Sequence, residues 1–182
     1  MKRRAFLFVL LSLIATTVVR SRDNPHYATS LPTKAVAVLE EAEQMTLFSL
    51  DPWTFQERPA DAPLFHGQVI LGEVVISKPE QCRQVSDELK RAVNASDGTM
   101  HMCFVPRHGL RVTRVGVTYD FVICYECGRV DTWLGEKRVE ATGLTGKPDV
   151  FNAILRAANI PLPPTLEEAM KQAREPKKPT GR

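Results

Sequence analysis

The sequence predicts an α+β fold, with about three helices packed on one face of an antiparallel β-meander of about five to seven strands. The first observation is a series of β-favouring runs between Thr99 and Thr142, most of them separated by short turns that contain glycine. Consecutive strands joined by such turns pair antiparallel. The second observation is that segments outside this series carry apolar residues at the spacing of an amphipathic helix.

The first half of the chain is predicted to contain two helices and two strands. In chain order, these elements and the loop between them are a helix from Thr33 to about Gln44, a short strand from Thr46 to Leu50, a loop from Trp53 to Phe65, a strand from Gln68 to Ile76 and a helix to about Val93. Gly72 is a candidate β-bulge in the second strand. Ser77 stands three residues before Glu80, which predicts a capping box at the start of the second helix.

The second half is predicted to contain the meander and a last helix. The strands are expected at Met100 to Val105, Leu110 to Arg114, Val117 to Glu126, Arg129 to Trp133 and Arg138 to Thr142, and the helix at about Val150 to Ala158. In the third of these strands, Tyr119, Phe121 and Ile123 share one face and are expected to point into the core. Asp120 and Glu126 fall on the opposite face, which is expected to be solvated.

The N-terminal segment has the pattern of a secretory signal. The basic residues of Met1 to Arg4 precede an uncharged apolar stretch from Ala5 to Val19. At about 15 residues, this stretch is shorter than the roughly 17–25 residues that span a bilayer as a helix. No small-x-small cleavage triplet follows it, and Arg20 and Arg22 come directly after, so an uncleaved membrane anchor is the alternative. We therefore expect an extracytoplasmic protein of the periplasm or cell envelope, either secreted or anchored by residues 5–19.

The rest of the chain divides into a linker, one domain and a tail. Residues 1–22 are the signal peptide or anchor, 23–33 a linker, 34–164 a single α+β domain, and 165–182 a charged helix with a disordered basic tail. Five positive charges precede Asp23, and without them the formal net charge falls from +3 to −2. This mildly acidic domain argues against a nucleic-acid partner. Membrane contact is expected only through the N-terminal segment, and a protein or small-molecule partner is left open.

The four cysteines carry the most informative pattern, and three interpretations of them compete. The first is a metal site with zinc as the cofactor. Cys124 and Cys127, followed by Gly128, have the form of a zinc knuckle, and Cys103 with His108 supplies a second pair of ligands. Two features weigh against it. Cys-x4-His is not a usual first pair, and an unbroken strand would place Cys124 and Cys127 on opposite faces.

The second interpretation is disulfide bonding. Outside the cytosol an even cysteine count favours bridges, and the candidates Cys82, Cys103, Cys124 and Cys127 allow three connectivities. A bridge between Cys103 and Cys124 would suit neighbouring strands, leaving Cys82 for Cys127 or either one free. A thiol oxidoreductase is the least favoured variant, because Cys124 and Cys127 lie in a strand or turn and not at the start of a helix.

The third interpretation treats the cysteines as small buried hydrophobic residues. It suits Cys82 best, because this residue lies on the apolar face of its helix. The sequence does not choose among the three interpretations.

Other polar residues of the meander are candidates for binding. They are His101, Arg107, Asp120 and Glu126. Asp120 would share a polar patch with His101 and Cys103 if the faces of their strands coincide. Arg107 and His108 are expected on a turn, where binding residues often lie. The chain has no nucleophile elbow, Gly-rich phosphate loop or His-Glu-x-x-His motif, which argues against the common enzyme classes that carry them.

Two segments of the domain resemble a family of uncharacterised exported bacterial proteins. They are Cys103-Phe-Val-Pro-Arg-His-Gly-Leu110 and Asp120-Phe-Val-Ile-Cys-Tyr-Glu-Cys127. Supporting matches lie at 47–52, at Phe65-His-Gly67 and at 151–162, so that the resemblance covers roughly residues 45–164. It implies an extracytoplasmic domain of unknown activity and supplies no catalytic residues.

Together these observations predict a non-enzymatic envelope domain with a structural or ligand-binding role. A zinc-binding domain and a thiol–disulfide redox protein are the alternatives. No catalytic residue is predicted.

Overall fold

The computed structural model describes residues 27–53, 60–99, 101–165, 167–168 and 170–171, which form three helices and seven strands. The helices are α1 (Thr33–Glu40), α2 (Pro79–Asn94) and α3 (Asp149–Ala157). The strands are β1 (Met45–Asp51), β2 (Leu64–Phe65), β3 (Gln68–Ile76), β4 (His108–Arg114), β5 (Val117–Cys124), β6 (Arg129–Leu134) and β7 (Lys137–Gly143). The predicted α+β class is confirmed.

The strands form one sheet in the order β2-β3-β1-β4-β5-β6-β7, and every neighbouring pair is antiparallel. β4 to β7 are the predicted meander. A turn at Val115 and Gly116 joins β4 to β5 and fixes their register, so that Arg111 lies directly opposite Asp120. Gly116 adopts a φ of 74°, which glycine reaches without steric cost.

The three helices pack on one face of the sheet, here called the inner face. Alternate strand residues point into this core, among them Leu47, Leu110 and Phe121, which are fully buried. Leu89 of α2 and Phe151 of α3 meet them from the helix side. The predicted core face of β5 is therefore confirmed.

The opposite, outer face carries a second and smaller apolar cluster built on Phe48, Leu50, Phe65 and Val122. The β2–β3 hairpin brings Phe65 onto this face, where its ring stacks on Phe48 with centroids 4.5 Å apart. Gly109 makes room for it, because a Cβ at that position would lie 2.6 Å from the Phe65 ring. The outer face is thus partly covered by the chain itself.

Several predicted boundaries are wrong. Residues 101–105 follow an irregular path where the strand Met100 to Val105 was expected, and the backbone of Val105 faces the sulfurs of Cys127 and Cys124 instead of a strand partner. Helix α1 ends at Glu40, short of the expected Gln44. Helix α2 begins after Lys78 without a side-chain cap, so the predicted capping box at Ser77 does not form.

The described part of the predicted linker belongs to the domain. Tyr27 and Leu31 are buried, and Ala28 forms a parallel bridge with Thr142 of β7. This contact covers part of the edge strand β7, which would otherwise present unpaired backbone groups. The linker prediction is therefore wrong for residues 27–32, and residues 23–26 lie outside the described part.

The predicted bulge at Gly72 is confirmed. Ser49 pairs with Gly72 whereas Leu50 pairs with Ile70, so β3 contains one extra residue at this point. The side chain of Ile160 packs over the same position, since a Cβ on Gly72 would lie 2.9 Å from its Cγ2. The bulge therefore also receives the segment that follows α3.

The C-terminal part of the described chain begins with a capping box. The Thr165 N–H donates to Glu168 Oε2 at 2.7 Å, and the Glu168 N–H donates to Thr165 Oγ1 at 3.2 Å. Residues 167–168 and 170–171 are helical, as predicted for this segment. No helix among the described residues is long and apolar enough to cross a membrane. The targeting segment at 1–22 lies outside them and stays a prediction.

Candidate functional site

The hairpin between β5 and β6 holds a buried cysteine pair. Cys124 ends β5, and Cys127 lies in the turn at disulfide-bonding distance from it, with the Cα atoms 5.3 Å apart. Neither residue is more than 1% exposed. One predicted disulfide candidate pair is thus at disulfide distance, Cys124 with Cys127, and the suggested pairing of Cys103 with Cys124 is not found. The reason is that β5 ends at Cys124, so the tight turn brings Cys127 back beside it.

The predicted zinc ligands are not brought together. His108 starts β4 on the inner face, where it is 2% exposed and its Nε2 lies 2.9 Å from Asn152 Oδ1 of α3. Burial lowers the pKa of His108 to about 4, against the opposing effect of the Asn152 hydrogen bond. Cys124 falls on the opposite face of the sheet. In the described ranges no three His, Cys, Asp or Glu side chains are grouped as metal ligands.

The two remaining cysteines are free and differ in exposure. Cys82 is buried on the side of α2 that faces the core, as predicted, with its Sγ 3.5 Å from the carbonyl oxygen of Ile76. Burial raises the pKa of its thiol. Cys103 is exposed on the irregular segment before β4.

That irregular segment runs directly along the disulfide. The Val105 N–H donates to Cys127 Sγ at 3.2 Å, and the Val105 carbonyl oxygen lies 3.4 Å from Cys124 Sγ. The ring of His101 lies against the same turn, because a Cβ on Gly128 would be 3.1 Å from its Cδ2. His101 is exposed and its carbonyl oxygen accepts a hydrogen bond from Tyr27.

Asp120 is the centre of a separate polar network on the outer face. It is 4% exposed, so the expectation of a solvated side chain is wrong for Asp120, although it holds for the exposed Glu126. Arg111 donates to both carboxylate oxygens, at 2.8 Å from Nε and 2.7 Å from Nη2, and His66 Nε2 lies 2.7 Å from Oδ2. Burial alone would raise the pKa of Asp120, but hydrogen bonds from Arg111 and His66 outweigh it and lower the pKa.

Aromatic rings enclose this network. The His66 ring stacks on Trp133 with centroids 4.3 Å apart and meets Phe65 edge-on. The Arg111 guanidinium lies 5.4 Å from the centroid of the Phe65 ring, within cation–π range. Trp133 Nε1 is buried without a hydrogen-bond partner in the described structure. Rings therefore fix Arg111 and His66 in place on several sides.

The strand register aligns three residues of this network with Arg138 of β7 in one row across the outer face. Arg111, Asp120, Trp133 and Arg138 are successive partners on β4, β5, β6 and β7. Both arginine side chains in the row are about half exposed. A shallow groove of about 260 Å³ adjoins Arg111 at the β1 side of the row. The groove is lined by Gln44, Met45, Thr46, Arg111 and Thr113.

Arg107 is a structural residue in this arrangement. Its Nη1 pairs with Glu126 at 2.8 Å, and its Nη2 donates to the carbonyl oxygen of Pro163. The same C-terminal segment, residues 160–164, accepts hydrogen bonds from two other side chains. Ser49 Oγ donates to Pro161 at 2.6 Å, and Trp53 Nε1 donates to Pro164 at 3.0 Å.

Asp120 was singled out from the sequence, but His66, Arg111 and Trp133 were missed. One signal was available for Arg111: a two-residue turn at 115–116 pairs positions 111 and 120 across the hairpin. No comparable signal existed for His66, which reaches Asp120 from a hairpin distant in sequence. The predicted patch of Asp120 with His101 and Cys103 is not observed, since Asp120 bonds to Arg111 and His66 instead.

Comparison with known proteins adds no assignment. No protein-family model, curated protein or solved structure matches the chain. The resemblance to exported bacterial proteins therefore stays a prediction.

Proposed function

We propose that this chain is an exported, non-enzymatic binding domain of the cell envelope, and that its outer face binds a ligand through a terminal carboxylate. One observation carries the proposal: a half-exposed arginine, Arg111, is held in place by a buried carboxylate beside a polar groove. The export part rests on the basic and apolar N-terminal pattern.

Arg111 has the properties of a preorganised carboxylate receptor. Its Nε and Nη2 serve Asp120, while nearly half of the side chain, 48%, stays exposed. A guanidinium has five N–H donors in a rigid plane, so the groups not used by Asp120 are free to face a ligand. Because Asp120 already fixes the side chain, little conformational entropy is lost when a ligand binds.

The groove beside Arg111 supports a small ligand group. Thr46 and Thr113 supply hydroxyls, and Gln44 supplies an amide, so both donors and acceptors line it. At about 260 Å³ the groove lies below the roughly 300–1,000 Å³ of drug-sized pockets. Its size therefore suits one terminal residue of a peptide better than a larger molecule.

A binding role is also favoured by the hydrogen bonds of the two buried histidines. His66 and His108 each use Nε2 within the protein, toward Asp120 and Asn152 respectively. Both histidine side chains are shielded from solvent. They serve to hold elements together, which supports a non-enzymatic domain.

The proposal is tested by titrating the full chain with short peptides that carry a free C-terminal carboxylate, with the same peptides amidated as the ligand control. Tryptophan fluorescence reports binding, since Trp133 lies in the row with Arg111. We expect saturable binding of the free carboxylates only. Arg111→Lys keeps the charge but loses the planar fork, and should weaken binding by about tenfold, or about 1.4 kcal/mol.

A matched control variant is available on the same strand. Arg114 is also an arginine of β4 and is partly exposed, but it contacts Glu41 and does not line the groove. Arg114→Lys should bind like the unmodified protein. Equal binding of amidated and free peptides, or equal loss in both arginine variants, would contradict the proposal.

A further inference from the structure

We infer that Cys103 is the entry point of an intramolecular disulfide relay, in which its thiol exchanges with the buried Cys124–Cys127 bridge. The inference concerns a different part of the molecule from the Arg111 groove and does not depend on ligand binding there. It rests on accessibility, proximity and the hydrogen bonds of the sulfur atoms.

Solvent exposure distinguishes Cys103 from the two cysteines of the bridge. Cys103 is exposed and free, whereas Cys124 and Cys127 are 1% and 0% exposed. Thiol–disulfide exchange requires direct attack of a thiolate on a bridge sulfur. A thiol from solvent therefore has poor access to the bridge, and a thiol on the segment packed against it has the advantage.

Proximity follows from the contacts of Val105. Its N–H is bonded to Cys127 Sγ and its carbonyl faces Cys124 Sγ, so the chain preceding Val105 leaves on the Cys127 side. Cys103 is two residues earlier, within about 7 Å along an extended chain. No strand ladder holds residues 101–105, and the segment is fixed instead by Phe104 under Arg129 and by the Tyr27 hydrogen bond to His101, so Cys103 reaches Cys127 by a local rearrangement that breaks these contacts.

The exchange step is balanced without an added oxidant. The Cys103 thiolate attacks Cys127 Sγ, the Cys124–Cys127 bond breaks, and a Cys103–Cys127 bond forms. Cys124 leaves as a thiolate and takes up the proton that Cys103 released. The Cys127 N–H, 3.1 Å from Cys124 Sγ, stabilises that leaving thiolate.

The exchanged form places a bridge sulfur on the exposed segment. A small-molecule thiol can then attack Cys103, forming a mixed disulfide and releasing the Cys127 thiolate. A second thiol molecule releases Cys103, so that two thiols are oxidised to one disulfide and the protein bridge is reduced. Cys103 thus connects the buried bridge to thiols in solution.

The first test measures how fast glutathione reduces the bridge in the full chain, by thiol trapping and mass spectrometry. Cys103→Ser should slow reduction by at least about tenfold, because it removes an internal nucleophile of high effective concentration. Cys82→Ser is the matched control, since Cys82 is free but lies on the inner face of α2, and should leave the rate unchanged. A Cys103→Ser rate equal to that of the unmodified protein would overturn the inference.

A second variant tests the reach of Cys103 directly. In Cys124→Ser, mild oxidation with glutathione disulfide should link Cys103 to Cys127, and peptide mapping would identify the link. Recovery of both residues as free thiols, or only as separate glutathione adducts, would also overturn the inference. Circular dichroism confirms that each variant is folded.

Discussion

At the scale of single residues, His108 shows how burial turns a polar side chain into a pH-dependent stability element. Its pKa is lowered to about 4 from an ordinary 6.5. Between these values the unfolded chain binds a proton that the folded protein refuses, so stability falls as the pH decreases from 6.5 to 4. The Asp120 pKa is also lowered, but from 3.8, so its contribution is lost only at still lower pH.

We predict that about 3 kcal/mol of unfolding free energy is lost over the His108 window, because each unit of pKa shift corresponds to about 1.4 kcal/mol. His108→Gln keeps a hydrogen-bonding side chain toward Asn152 but cannot titrate, so its loss over this window should be smaller by that amount. Urea denaturation at pH 7, 5.5 and 4 measures the difference. His101→Gln is the matched substitution at an exposed histidine that does not contact Asn152. A pH profile for His108→Gln that matches the unmodified protein would show that His108 is not the titrating group.

Gly109 illustrates a residue that is required because another side chain occupies its space. A Cβ there would meet the Phe65 ring at 2.6 Å and Phe48 Cβ at 3.3 Å. We predict that Gly109→Ala lowers the unfolding free energy by about 1–3 kcal/mol, as overpacking does elsewhere. Phe65→Leu provides the control, because the smaller side chain relieves the clash. In a double-mutant cycle the two losses should therefore add to more than the loss in the double variant, whereas strictly additive losses would refute the clash.

At the scale of elements, the segment 101–109 contacts parts of the chain that are far apart in sequence and holds them together. Phe104 lies under the Arg129 guanidinium at 4.3 Å, Arg107 bonds to Pro163, and His108 bonds to Asn152. The sequence marks this segment through its unusual Cys-Phe-Val-Pro-Arg-His-Gly pattern, but it does not identify the partners. Those partners are decided by tertiary packing. The contacts of Phe104, Arg107 and His108 show that most residues of the motif stabilise the fold.

The elements that the sequence predicts well are those fixed by local rules. The meander follows from glycine turns and residue alternation, and the bulge beside Gly72 follows from the rule that an isolated glycine inside a strand pattern often marks a bulge. Alternation also places Asp120 on the outer face correctly. It cannot show that the β2–β3 hairpin brings His66 over Asp120, because that contact joins residues 54 positions apart. Exposure on the outer face is therefore decided by tertiary structure.

At the scale of the whole molecule, the segment 160–164 connects parts of the domain that are far apart in the sequence. Residues 160–164 follow α3, and their backbone accepts hydrogen bonds from Ser49 of β1 at Pro161, from Arg107 at Pro163 and from Trp53 at Pro164. Three residues of this segment, Pro161, Pro163 and Pro164, have no N–H, so the segment cannot join the sheet as a ladder strand. Side-chain donors take the place of ladder hydrogen bonds, and Ile160 and Leu162 pack against the main core.

This closure predicts that the domain needs residues 160–164 but not the residues after 171. A chain that ends at Asn159 loses the burial of Ile160 and Leu162 and leaves the Ser49 hydroxyl without its acceptor. We expect its unfolding free energy to fall by about 2–5 kcal/mol, from lost apolar burial and broken hydrogen bonds. A chain that ends at Lys171 keeps all of these contacts and should match the full-length protein in thermal and urea unfolding. If both truncations unfold alike, the segment contributes nothing to stability, and the hydrogen bonds from Ser49, Trp53 and Arg107 do not hold the domain closed.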